Sequence, residues 1–339
     1  MKKVTINDIA RAANVAKSTV SKVMNDAPTV SPDTKRRVRA IMKQMNYTPS
    51  TIATQLARQS SSTIGMLVDL SRRADFLNHF FYTIIGGIES VAGPLHYELT
   101  ISNIQSSGPD NFMNRLVRGR KVDGLIMEKS ILTREQVDEL LQLEFPFVSI
   151  GRIADTEGVS SVDIDNALGS GMLTDHLVEQ GCRKLAFLGG EPADSIFESR
   201  STGFHRSLKA HGLEGTVSCC EGSAAEGYRL TKELLASGYA PDGIITISNY
   251  VAFGVLQALQ EANFRVPGDI CVATFDDYPL APYTTPPLTC LHLDTFELGI
   301  HAASMLMERI DGSVTGVENR LLLPTLIPRA STQRQPLKE

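Results

Sequence analysis

From Thr63 onward the chain alternates short apolar runs with amphipathic stretches, and this order restricts the fold more than any other feature. Runs suited to strands fall at Ile64–Leu70, Glu98–Ile104, Gly124–Met127, Phe147–Ile150, Lys184–Leu188, Val217–Cys220, Gly243–Ile247 and Ile270–Phe275. Between them, Phe80–Ala92, Ala167–Gln180, Gly203–Ala210 and Gly227–Leu235 carry helical spacing. Strand–helix–strand order makes successive strands parallel, because each crossover helix must cover the sheet it leaves. The runs form two sets, about 63–160 and 161–290, with a late return through 291–330, so an α/β body of two Rossmann-like lobes is expected. Ligands of such sheets sit beyond the carboxyl ends of the strands, here facing an inter-lobe cleft.

The 339 residues are enough for two or three domains, and charge divides them unevenly. Residues 1–60 hold eleven Lys and Arg against three acids, a net of +8, while the remainder carries 22 basic and 35 acidic residues. A basic head on an acidic body points to a polyanion-binding module joined to something with another task. The longest apolar runs fall far short of the ~20 residues a bilayer needs. The polar start Met1–Asp8 offers no apolar core for a signal peptide, so a cytoplasmic protein without membrane attachment is expected. Its five cysteines include no C-x-x-C pair and read as reduced thiols, mostly in strand-like runs.

The head reads as three short helices over residues 1–46. Thr5-Ile6-Asn7-Asp8 resembles a capping box, with Ile6, Ile9, Ala10 and Ala13 on one face. A second helix turns Val20 and Val23 inward, and Ser31-Pro32 starts a third whose stripe is Val38, Ile41, Met42 and Met45. Two helices across a four-residue gap, braced by a third, form a helix-turn-helix unit. Its second helix exposes Lys17, Ser18, Ser21, Lys22 and Asn25, side chains able to reach base edges and phosphates in a major groove. Lys35, Arg36, Arg37, Arg39 and Lys43 on the third helix add phosphate attraction. A solvated basic bundle is the plainer alternative. Lys17-Ser18-Thr19 imitates the end of a P-loop, but no glycine precedes it to cradle phosphate.

These residues carry a resemblance. Val4–Ala10, Val15, Thr19–Asn25, Val30-Ser31 and Asn46–Pro49 are similar, without a gap across residues 4–57, to the LacI/GalR family of bacterial transcription repressors. The resemblance implies operator contacts from Thr5, Lys17, Ser18, Thr19, Ser21, Lys22, Asn25 and Tyr47. Two positions depart from the family. Lys22 stands where arginine is usual and loses the bidentate fork; Ala16 replaces the usual hydroxyl cap, which weakens that helix start by ~1 kcal/mol. Residues 47–62 form the linker. Its Ser60-Ser61-Ser62 run suits a spacer, whereas Ile52, Ala53, Leu56 and Ala57 at helical spacing are too apolar for one. The family implies a hinge helix there, with Leu56 as a minor-groove wedge; packing of Leu56 on the neighbouring domain is the alternative.

Body residues 63–331 resemble the family's periplasmic-binding-protein-like effector domain, at Asp165-Asn166, His176-Leu177, Gly181–Arg183, Arg200, Gly203-Phe204, Phe275–Asp277 and Pro286–Thr289. Residues 332–339 read as a polar tail without the leucine-heptad repeat by which one branch of the family tetramerises, so the resemblance implies a homodimer. The effector residues implied are Phe80, Phe81, Arg152, Arg200, Asn249 and Asp276. Asp276 ends a strand-like run and can accept from ligand hydroxyls; Arg200, opening a helix after the Gly189–Glu198 loop, can grip hydroxyl, carboxylate or phosphate. Arg200 and Asp276 can equally be structural ion-pair members, and Phe80 and Phe81 core residues. Gly151 and Leu293 replace an acid and a glutamine frequent in sugar-binding members, two departures from the bonding pattern of those members.

Catalytic motifs are missing: no H-E-x-x-H, G-x-S-x-G or G-x-G-x-x-G occurs, and the seven histidines lack metal-ligand spacing. Gly189-Gly190 can cradle a phosphate but suits a tight turn better. The reading is a ligand-responsive repressor of carbohydrate-related genes with no enzymatic activity, metal or cofactor. Its partners are double-stranded, palindromic operator DNA and a sugar or sugar-phosphate effector. A sugar-binding protein without regulatory role and a sugar- or nucleotide-processing enzyme on the same scaffold are the alternatives. The basic head speaks against the first and the lack of motifs against the second.

Overall fold

The computed structural model describes residues 4–24, 26–47, 60–69, 79–104, 111–129, 131–152, 158–192 and 194–334. Its helices and strands run α1 (Ile6–Ala12), α2 (Lys17–Met24), α3 (Pro32–Gln44), β1 (Thr63–Val68), α4 (His79–Ala92), β2 (Glu98–Asn103), β3 (Gly124–Glu128), α5 (Arg134–Gln142), β4 (Phe147–Ile150) and β5 (Ser161–Ile164). There follow α6 (Asn166–Glu179), β6 (Leu185–Leu188), α7 (Ser195–Ala210), β7 (Gly215–Ser218), α8 (Ala224–Ala236), β8 (Gly243–Thr246), α9 (Asn249–Glu261), β9 (Cys271–Phe275), β10 (Thr289–His292), α10 (Thr295–Ile310), β11 (Asn319–Leu322) and β12 (Thr325–Ile327).

In the head, Ile9, Val20, Val23 and Val38 are buried together, with Ile41, Met42 and Met45 packed around them. Thr5 starts α1 by donating both its backbone N–H (3.0 Å) and its hydroxyl (2.7 Å) to Asp8. Ser31 caps α3, accepting from the Thr34 N–H at 3.3 Å, ahead of Pro32 at the first helical position. Asn14, Asp26 and Asn46 follow the three helices in the left-handed region, at φ 50°, 51° and 48°. The next residue closes each turn: the Val15, Ala27 and Tyr47 N–H groups donate to Ala10, Lys22 and Met42. Short polar side chains tolerate that conformation, so each helix stops where the tertiary turn begins.

The body consists of two six-stranded sheets, ordered β11-β5-β4-β3-β1-β2 and β12-β10-β9-β8-β6-β7. All neighbours are parallel except β12, which runs antiparallel to β10. Strands β6, β8 and β9 are buried along their whole length, as unbroken apolar runs require. The boundary expected near residue 160 is displaced. β5 pairs with β4 in the first sheet, and β11 returns from residue 319 to pair with β5. The chain therefore crosses between lobes three times, at residue 165, at 293–294 and at 323–324. Short strands such as Ser-Val-Asp-Ile and Asn-Arg-Leu-Leu give little apolar signal, which is why the alternation did not reveal them. The strand expected at Val217–Cys220 lies two residues earlier, and Cys220 instead bridges Gly190.

Two further boundaries move. Residues 60–62 are not helical, and the rest of the hinge reading (48–59, with Leu56) lies outside the described residues. The tail does not begin at 332. Ser331 and Thr332 are fully buried, and the Thr332 hydroxyl pairs with His176 Nε2 and the Thr289 hydroxyl, both at 2.7 Å. Arg334 donates to the Asp242 carbonyl at 2.9 Å, so the body continues at least that far.

Helices pair at glycines. A Cβ on Gly254 of α9 would lie 1.9 Å from the Ala224 carbonyl oxygen of α8, and one on Gly87 of α4 2.1 Å from that of Phe296 of α10. Gly171, inside α6, has nothing within 4 Å of its virtual Cβ. Gly254→Ala should therefore lower stability by about 1–3 kcal/mol through overpacking. Gly171→Ala should be neutral or raise it by about 0.5–1 kcal/mol, since alanine favours helix. Equilibrium urea unfolding of both variants measures the contrast, and equal effects would contradict the packing described.

Candidate functional site

The first candidate face lies on α2. Val20 and Val23 point into the head, leaving Lys17, Ser18 and Lys22 exposed, with Thr19 and Ser21 half-buried. The Thr5 hydroxyl is engaged at the start of α1, and Tyr47 is half-buried against the head core. Asn25 lies outside the described residues. Lys35 differs from its expected role as a phosphate contact. Its ammonium donates to the Asp26 carbonyl and carboxylate, both at 3.0 Å, and Arg39 reaches the same carboxylate at 2.6 Å. Lys35 and Arg39 hold the Asp26 carboxyl below its ordinary range, chiefly through the Lys35 hydrogen bond. Together they pin the turn after α2 to α3. Arg37 and Lys43 are exposed and form no ion pair among the described residues.

The second candidate lies where β6, β8 and β9 end. α7 begins at Ser195, capped by Asp194, so Arg200 sits within the helix instead of opening it. Its guanidinium is buried and held on several sides. Nε donates to Asn166 Oδ1 at 2.9 Å, Nη1 to the Ile247 carbonyl at 2.7 Å, and Cζ lies 3.8 Å from the Phe275 ring centre. Asp276 Oδ1 is 4.0 Å from Nη2, a loose ion pair. Asp276 is itself in the left-handed region at φ 69°, and Asn249 Nδ2 donates to its carbonyl and, at 3.1 Å, to that of Phe275. Such a backbone conformation persists when its surroundings determine it, and here the Asn249 amide does so.

Burial pushes the Asp276 carboxyl up to about 6, against the opposing pull of Arg200. Desolvation also lowers the Arg200 guanidinium, while Asp276 and Asp194 raise it. Asp276 Oδ1, Asn249 Oδ1 and Ser248 Oγ are buried without a hydrogen-bond partner among the described residues. Buried acceptors left open are costly, and a ligand bearing hydroxyl donors satisfies them.

Other expected residues separate. Phe80 packs against the core of the second lobe, and one turn later Thr83 meets Thr295 at 2.6 Å. Phe81 instead packs against the first-lobe core with its ring edge-on to Tyr82, so it does not stand beside Phe80 at a cleft wall. Successive helical residues point about 100° apart, which sends the two rings into different lobes. Arg152 is exposed at the end of β4; its backbone N–H donates to Asp163 at 2.9 Å, and its side chain does not join the Arg200 group. Gly189 and Gly190 make a packed turn, since a Cβ on either would lie 2.3–2.4 Å from Ile247 or Phe197. Asn166 orients Arg200 and is a site residue that the sequence patterns do not mark as one; its position just after a strand end is the signal the sequence offers. Among the described residues no group of three His, Cys, Asp or Glu could hold a metal, and no helix is long and apolar enough to cross a membrane.

Residues 5–50 match the bacterial regulatory proteins of the lacI family, and residues 174–332 a periplasmic binding protein-like domain. The chain is 31% identical over 340 residues to the HTH-type transcriptional repressor PurR of Haemophilus influenzae, covering 97% of this chain and 98% of that one. The ribose operon repressor of Escherichia coli is 32% identical over 336 residues, covering 96% and 99%. The chain belongs to the LacI family. The structure of the lac repressor dimer bound to operator and the anti-inducer ONPF superposes with a TM-score of 0.83 at 27% identity, covering 98% of this chain and all of that one. The transcriptional regulator CelR in complex with cellobiose gives 0.73, also at 27% identity, over 97% and 100%. As a LacI-family member, the chain is a DNA-binding transcriptional repressor, not an enzyme.

The raised Asp276 carboxyl has a consequence for stability. Between its ordinary 3.8 and about 6, the folded chain holds a proton that the unfolded chain has released. The resulting stabilisation is complete below 3.8 and is lost as pH rises through about 6. Asp276→Asn should remove this part of the pH dependence, flattening urea midpoints measured from pH 4 to pH 7. A variant with the wild-type slope would show that another group titrates.

Proposed function

We propose that this repressor reads a palindromic operator as a cytoplasmic homodimer and releases or tightens on it when a sugar or sugar phosphate binds at Arg200, Asn249 and Asp276. The supporting observation is the buried, incompletely bonded polar group at the ends of β8 and β9. Two open carboxamide and carboxylate oxygens suit the hydroxyls of a polyol. Arg200 is committed to Asn166 and the Ile247 carbonyl, which leaves its remaining edge toward Asp276 for ligand oxygen. The names of relatives agree in kind: one represses a ribose operon and another is bound to cellobiose. In this reading Lys17, Ser18, Thr19, Ser21, Lys22 and Asn25 face the major groove, Thr5 and Tyr47 are further DNA contacts, and Leu56 enters the minor groove. Phe80 closes the pocket from the first lobe, and Arg152 stands at its exposed margin. Residues 1–46 form the DNA-binding domain, 47–62 the hinge and the remainder the effector and dimerisation body.

A duplex selected from randomised DNA with the wild-type chain supplies the probe. Lys22→Ala should cost about 1–3 kcal/mol of preference for that duplex over a scrambled one. Arg37→Ala or Lys43→Ala should weaken both duplexes alike, since contacts to phosphate carry no sequence. Unchanged preference in Lys22→Ala would remove α2 from the major groove. Thermal-shift screening of pentoses, hexoses, disaccharides and their phosphates should reveal a stabilising compound that alters duplex anisotropy. Asp276→Asn should lose that response while keeping its affinity for DNA without ligand, because a ligand shifts two states only through differential affinity. A response of wild-type sensitivity in this variant would move the pocket elsewhere.

A further inference from the structure

The three serines that end the linker look like spacer, yet they meet a single carboxylate from a distant part of the chain. Asp123, just before β3, accepts on Oδ1 from the Ser61 N–H at 2.7 Å and the Ser61 hydroxyl at 3.0 Å. On Oδ2 it accepts from the Ser60 hydroxyl at 2.5 Å and the Ser62 N–H at 2.9 Å. A carboxylate offers about four lone-pair sites, and this one has all four filled. The backbone joins in: the Asp123 N–H donates to the Thr63 carbonyl at 2.8 Å, and the Glu98 N–H to that of Ser62 at 3.0 Å. Ser62 is in the left-handed region at φ 49°, a conformation an unconstrained serine rarely keeps. The carboxylate and β2 thus hold residues 60–62 in one defined conformation and fix where the linker leaves the first lobe.

We infer that Asp123 is a positioning residue for operator binding, clamping the end of the linker so that the head starts from a fixed point on the body. Three residues already ordered at 60–62 do not have to be ordered on DNA. Holding the end of the linker at one point of the body also raises the effective concentration of the head at its DNA site. Any displacement of the first lobe reaches the linker through the same bonds.

The test uses the full-length chain, the duplex selected by the wild type, and amide hydrogen exchange. Asp123→Ala should speed exchange at the Ser61 and Ser62 amides and weaken duplex binding about tenfold, with the thermal midpoint of the body changed little. Asp123→Asn, which keeps one accepting oxygen, should recover part of both effects. Ser61→Ala, a milder change that leaves the carboxylate in place, should weaken binding by a smaller factor. The double variant should fall short of the sum of the two single effects, since the bond between the Ser61 hydroxyl and the carboxylate is lost in either single variant, while the hydroxyl's bonds to Thr63 go only with the serine. Faster exchange at 61 and 62 with duplex affinity within twofold of wild type would overturn the inference. So would full additivity of the two substitutions, because Asp123 would then act through other contacts.

Discussion

Three short crossings of the chain hold the body together, and the placement of every candidate group depends on them. A parallel sheet buries both faces and needs helices on each, and here neither lobe is completed by one continuous stretch of chain. The first lobe takes β1 to β5, then borrows α10 and β11 from the far end of the sequence. The second takes α6 to β10 and finishes with β12 and the buried residues Ser331 and Thr332. Residues beside the crossings take up positioning contacts. Asn166 follows the first crossing and orients Arg200, while Thr295 follows the second and meets Thr83.

The Arg200–Asp276 group is a place where the fold tolerates poor local energetics. Arg200 and Asp276 are buried 4.0 Å apart, a geometry that returns little of the cost of desolvating two charges. Asp276 also holds a left-handed backbone, and buried acceptors on Asp276 and Asn249 stay open. Costs of this kind collect where a ligand completes the bonding. The head shows the opposite economy. Its helices are closed by polar left-handed residues, and Lys35 and Arg39 serve the turn at Asp26, so α2 rests on a framework that leaves Lys17, Ser18 and Lys22 exposed.

Local patterns in the sequence determined a good deal of this protein. Inward valines and cap residues specify the three helices of the head, with Lys17, Ser18 and Lys22 outward, because periodicity of 3.6 records which face is buried. Unbroken apolar runs specify the buried strands, and the motifs of the head carry the family. Tertiary structure alone decided which lobe owns β5, α10 and β11, since pairing partners more than a hundred residues apart leave no mark on local hydropathy. It separated Phe80 from Phe81, adjacent in sequence but directed into different cores. It also turned Ser60–Ser62 from apparent spacer into a clamp, because hydroxyls and amides show no preference in sequence until a carboxylate such as Asp123 is brought to them by the fold.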